Sequence, residues 1–95
     1  MDCARIIFTG HAVKRMFERK ISKEDVVEVL KRGELIEEYP DDVPFPGYLL
    51  LGWVRGQALH VVAALEKQNQ TCYVITVYPP DPHLWDERFR KRRTR

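Results

Sequence analysis

The chain predicts an α+β domain in which an N-terminal helical hairpin packs on a three- to four-stranded antiparallel sheet, followed by a short C-terminal helix. Three observations carry this expectation. Apolar residues in the first third recur at helical spacing. After Gly33 the pattern shifts to β-branched and aromatic runs. Those runs are separated by the turn-like stretches RGQ and KQNQ, which are hairpin signals.

The first helix is expected over residues 10–19, after the short apolar lead Ile6, Ile7 and Phe8. Thr9 is a suitable N-cap, because its hydroxyl can accept from an otherwise unpaired first-turn amide. Ala12, Val13, Met16 and Phe17 form the expected buried stripe, with His11, Arg15 and Arg19 opposite and Lys14 and Glu18 beside them. Ser22 followed by Asp25 resembles a capping box and opens a second helix. Val26, Val27, Val29 and Leu30 supply its apolar side, and Gly33 its stop.

GELIEEYP reads as a short strand ended by Pro40, and the three prolines of PDDVPFPG exclude further regular structure there. YLLLGWV, ALHVVAALE and TCYVITVYP are the remaining strands. Asp81 as N-cap and Pro82 in the first turn start the expected C-terminal helix, from which Leu84, Trp85 and Phe89 dock on the sheet. Residues 1–88 thus form one domain, and 89–95 a basic tail expected to be disordered.

Composition narrows the setting. The net charge of +2 hides an asymmetry: RFRKRRTR holds six of the sixteen Lys and Arg and no acid, leaving a body of net −4. Such a tail is either a solvated appendage or a contact for nucleic acid. No run reaches the roughly 20 apolar residues of a membrane helix, and the N-terminus does not read as a secretory signal. Cys3 and Cys72 are too few and too far apart to suggest a disulfide framework or zinc cage, which fits a reduced, cytoplasmic protein.

His60 lies in the most apolar strand. Alternation puts Ala58, His60, Val62 and Ala64 on one face and the bulkier Leu59, Val61, Ala63 and Leu65 on the helix-covered one. A three-residue KQNQ loop, with Asn69 or Gln70 left-handed, brings Thr76 and Tyr78 beside His60. A two- or four-residue loop brings Tyr73, Ile75 and Val77 there instead, because one residue of slip reverses the facing. The first register is preferred.

The candidate set is therefore His11, Arg15, Arg19, His60, Thr76 and Tyr78, with Lys14 alongside. Metal-free RNA cleavage needs a base for the 2′-hydroxyl, an acid for the leaving oxygen and cations for the transition-state charge. His11 and His60 suit the proton transfers. Arg15, Arg19 and Lys14 suit phosphate, and Tyr78 suits hydrogen bonding or stacking. No metal or other cofactor is expected, since His11, His60 and His83 lack ligand spacing. The acidic run Glu37, Glu38, Asp41, Asp42 reads as a solvated loop or a contact for a basic partner.

The stretches FTGHAVKRMFERKISKEDVVEVLKRGELIEEYPDD, YLLLGWV, ALHVV and YVITVYPPDPHLW resemble the bacterial and archaeal family filed as domain of unknown function 4258, over residues 6–88. That family is grouped with the RelE/MqsR-like toxin superfamily, whose members place a helical hairpin ahead of an antiparallel sheet. The resemblance implies a toxin–antitoxin system, an mRNA endonuclease (a hydrolase of the RelE-like kind) and RNA as ligand. A small zinc-finger or helix-turn-helix antitoxin would be the partner, with no membrane involved. It marks His11, Arg15, Arg19, His60 and Tyr78. The alternative is a non-catalytic module that binds protein or nucleic acid on the same sheet, for which exposed Tyr48, Trp53 and Trp85 would matter more.

Overall fold

The apolar lead Ile6–Phe8 belongs to a strand. The computed structural model describes residues 1–94, in the order β1 (Arg5–Phe8), α1 (Gly10–Arg19), α2 (Lys23–Arg32), β2 (Glu34–Tyr39), β3 (Gly47–Val54), β4 (Gln57–Glu66) and β5 (Thr71–Tyr78). The α+β class holds, but the sheet is five-stranded and mixed, in the order β1-β5-β4-β3-β2. β1 runs parallel to β5, and every other pair is antiparallel. A parallel neighbour requires a long crossover. Here the crossover is most of the chain, so β1 leaves no local hairpin signal.

Both helix starts follow from their caps. Thr9 Oγ1 accepts from the Ala12 amide at 3.2 Å and Ser22 Oγ from the Asp25 amide at 3.1 Å. The two helices do not form a self-contained hairpin; α1 lies on β5, and α2 on β3 and β4. Between them and the sheet sit Ala12, Val26, Val29, Leu30, Leu50, Leu59, Val61, Ala63, Val74 and Val77. Gly52 lets α2 come close, because a Cβ there would stand 2.5 Å from Val29 Cγ2. α1 buries less than its periodicity suggests. Ala12 is inside and Met16 half-buried, but Val13 is 53% and Phe17 87% exposed. A helix seated on the strand next to the sheet edge has a partner for one row of side chains only.

After β5 the expected helix is absent among the described residues. Asp81 Oδ1 accepts the His83 amide at 2.8 Å, and Asp86 Oδ1 accepts the Arg88 and Arg90 amides, each at 3.1 Å. Two aspartate-led turns therefore replace a helical cap. Phe89, at φ 59°, could not continue a helix. Trp85 bridges back to Arg92, so residues 85–92 make a closed loop over the sheet face opposite the helices.

Residues 89–94, within the segment expected to be a disordered tail, carry specific contacts. Arg90 pairs with Glu34 at 2.9 Å, and Arg93 Nε donates to the Pro82 carbonyl at 2.8 Å. Arg95 lies outside the described residues.

The cysteines, expected to be reduced thiols, are joined. Cys3 and Cys72 form a disulfide with Cα atoms 5.6 Å apart, although the two residues are 69 positions apart in sequence. Spacing alone could not reveal it, because the pairing depends on β1 lying beside β5. No helix among the described residues is long and apolar enough to cross a membrane. Because the bridge closes a long loop, its loss should favour the unfolded chain by restoring the conformational freedom that the bridge removes. Cys3→Ser is expected to lower the unfolding free energy by about 2–4 kcal/mol in urea titrations. Coincident curves for the variant and the oxidised parent would show that the bridge contributes nothing.

Candidate functional site

The sheet face away from the helices is set by an irregularity in β5. The β4–β5 turn has four residues, 67–70, with Gln70 left-handed at φ 52°. Such a turn pairs Glu66 with Thr71 and Ala64 with Tyr73, and by itself would turn Tyr78 towards the helices. A bulge at Ile75 inserts one residue, so that Val62 pairs with Thr76 and His60 with Tyr78. Cys72 and Val74 consequently face the helix side, and Thr76 and Tyr78 the other. The pairing of His60 with Tyr78 matches the preferred register, although the turn has four residues and not the three on which that register was expected.

His60 is fully buried, with Leu51 opposite it on β3 and Tyr78 on β5. Its ring stands edge-on to Trp85, centroids 4.5 Å apart, and both nitrogens are engaged. Nε2 lies 2.8 Å from the Phe89 carbonyl and Nδ1 3.2 Å from the Tyr78 hydroxyl. A carbonyl can only accept, so Nε2 carries the proton, and neutral Nδ1 accepts from the Tyr78 O–H. Burial holds the His60 pKa below its ordinary value, with Arg92 adding to the effect while the Phe89 carbonyl and Glu37 oppose it. Tyr78 is pushed up, again mainly by burial. At neutral pH the pair is an uncharged imidazole backed by a protonated phenol.

Tyr78 opens into a groove of about 350 Å³ with Arg19, Arg92, Asp81, Leu84 and Trp85 along its walls. Arg19 is braced there by a 2.7 Å hydrogen bond from its guanidinium to the Val77 carbonyl. Arg92 lies over the Trp85 ring, 4.9 Å from its centroid. On β2, Tyr39 donates to Glu37 at 2.6 Å, and burial with that bond pushes Tyr39 up to about 12. Glu37 and Arg92 are near enough to bias both His60 and Tyr78 in opposite directions.

The expected residues are thus only partly brought together. His60, Tyr78 and Thr76 share one face, and Arg19 reaches its rim. His11 and Lys14 are exposed on α1, whose Ala12 packs into the core on the other face. One phosphate cannot meet His11 and His60 together in this conformation. Arg15 is engaged by Glu18 at 2.8 Å. Arg92, Glu37 and Tyr39 were not among the expected site residues. Alternation in ELIEEY signals the shared facing of Glu37 and Tyr39, whereas Arg92 was hidden in a run that reads as tail. Among the described residues, no three His, Cys, Asp or Glu side chains gather as a metal site.

The burial of neutral His60 has a pH signature. The unfolded histidine takes up a proton near its ordinary 6.5, before the folded one does. The contribution is therefore fully present above that pH and declines as pH falls towards the lowered folded value. Stability should drop by at most about 1.4 kcal/mol per pH unit in this window. In His60→Gln, urea midpoints measured between pH 7 and 5.5 should lose most of that slope; an unchanged slope would refute the assignment.

No curated protein and no solved structure matches the chain. A family profile does, over residues 8–79, which takes in everything from the end of β1 through Tyr78 to Pro79. With most of the chain so covered, the protein belongs to the family described as Domain of unknown function (DUF4258).

Proposed function

We propose that the protein binds RNA at the Arg19–Tyr78–Arg92 groove and cleaves it without a metal ion, as the RelE/MqsR-like toxin of a toxin–antitoxin pair acting in the cytoplasm. The observation that carries this is one groove lined by Tyr78, whose hydroxyl is backed by an imidazole acceptor, and by Arg19 and Arg92. Arginine forks suit phosphate oxygens and the charge that builds on them in the transition state. Tyr78 would take the 2′-hydroxyl proton as it passes its own to His60 Nδ1. The resulting imidazolium would be steadied by its Nε2–H bond to the Phe89 carbonyl. The 2′-oxygen would attack phosphorus as the P–O5′ bond breaks. An arginine would offset the charge on the departing 5′-oxygen, which takes its proton from water. The imidazolium would return its proton to solvent through Tyr78. His11 has no part in this scheme. A small zinc-finger or helix-turn-helix antitoxin would be the protein partner.

A second reading is favoured by the closure of His60 beneath Trp85 and by its depressed basicity. In that case the same groove holds RNA without cutting it.

Labelled single-stranded RNA, incubated with the protein in chelator, separates the two. Tyr78→Phe should slow cleavage by about 10²- to 10⁴-fold while weakening RNA binding far less. Arg92→Ala should weaken binding and reduce the salt dependence of affinity by about one phosphate's worth. Binding with no cleavage by the parent would support the non-catalytic module, and absence of both would sink the proposal.

A further inference from the structure

Trp53 is 57% exposed near the end of β3, on the same sheet face as His60 and Tyr78. An indole is costly to leave in water, and here it is held ready: the Phe89 ring stands edge-on to it, centroids 5.9 Å apart. β2 pairs with β3 only as far as Glu34 opposite Leu51, so the strand edge beside Trp53 is open. A groove of about 250 Å³ lies at that edge on the α2 side, lined by Trp53, Gly52, Glu28, Val29, Arg32 and Glu34.

The electrostatics point to an anion-bearing ligand. Glu28 and Glu34 pair with Arg32 and Arg90, which cancels those charges, and the segment that carries Phe89 adds exposed Arg88, Lys91 and Arg92 against Asp86 and Glu87. Trp53 stands two strands and two residues away from Tyr78 in the register, roughly 12 Å by ordinary sheet spacings. The 85–92 loop covers the sheet between them, so a chain that touches both crosses the outer side of that loop, where Arg88, Arg90 and Lys91 are exposed.

We infer that Trp53 is a stacking subsite for an unpaired base, so that the ligand of this face is single-stranded RNA running from the Arg19–Tyr78–Arg92 groove to the open edge of β3. The inference rests on the RNA reading and adds the strandedness of the ligand and the residue that enforces it. An aromatic platform beside a basic track holds any unpaired base by its π-face, whereas a paired base in a duplex cannot present that face.

The chain carries its own reporter. Of its two tryptophans, Trp85 is 2% exposed, so quenching of indole emission by a stacked base must come from Trp53. The probe is a 2′-O-methyl oligouridylate of eight nucleotides, which lacks the proton that cleavage requires. It is compared with an RNA duplex of equal length and with inorganic polyphosphate. Binding is followed independently by the anisotropy of labelled oligonucleotide.

The uridylate should quench emission, and neither the duplex nor polyphosphate should do so. Trp53→Leu should weaken binding about 5- to 150-fold, and Trp53→Phe should restore most of the loss. Unchanged Trp85 emission in the Leu variant shows that the fold is kept. Salt-sensitive binding without quenching, and with full affinity in the Leu variant, would overturn the stacking subsite and leave the RNA reading standing. Equal quenching by the duplex or by polyphosphate would also overturn it. No binding of any RNA would overturn both.

Discussion

An imidazole at the centre of a sheet must satisfy two nitrogens away from water, and the structure is organised around how His60 does so. An unpaired buried polar group costs on the order of 1–3 kcal/mol. Within the sheet only Tyr78 can reach the ring, and it supplies one bond. The other comes from Phe89, a residue held left-handed so that its carbonyl meets Nε2. A bulky residue in that conformation is strained. The closed loop from Trp85 to Arg92, its Asp86-led turn and the Arg90–Glu34 pair all help hold that carbonyl in place. What reads in sequence as a basic appendage is part of the sheet's second covering layer.

The same arrangement explains which features were legible beforehand. Helix boundaries, caps and the helix-facing set of β4 depend on neighbours within a few residues, and they could be read directly. β1 and the Cys3–Cys72 bridge depend on chain segments some 69 positions apart, and nothing local announces them. The loop after β5 misled for a different reason. Asp81 followed by Pro82 is as suitable for a turn as for a helix start, and the choice is made by Trp85 and Phe89 reaching His60. On α1, periodicity correctly marked an apolar stripe, but the position of β5 next to the sheet edge decided how little of it is covered.

Part of the candidate site was legible as well. His60 and Tyr78 were identified as neighbours, yet through a turn length that the structure does not have; the bulge supplied the missing residue. The polar stripe of α1 was divided by geometry. Arg19 turns in to the sheet's end, while His11 remains on the far side, so two histidines that look like a catalytic pair in a list are separated by the sheet itself. Arg92 takes the place of a second nearby cation, from a stretch whose composition resembles disorder.

The bulge at Ile75 has a wider meaning. It divides β5 into two halves of opposite phase, one handing Cys72 and Val74 to the interior and the other handing Thr76 and Tyr78 to the open face. The first half serves the covalent frame, and the second serves the hydrogen bond to His60. With a phase change between them, the two sets of side chains answer to different neighbours. Variation in the frame, such as a different clasp to β1, need not rotate the phenol out of its groove. A single strand thus behaves as two independently adjustable parts joined by one extra residue.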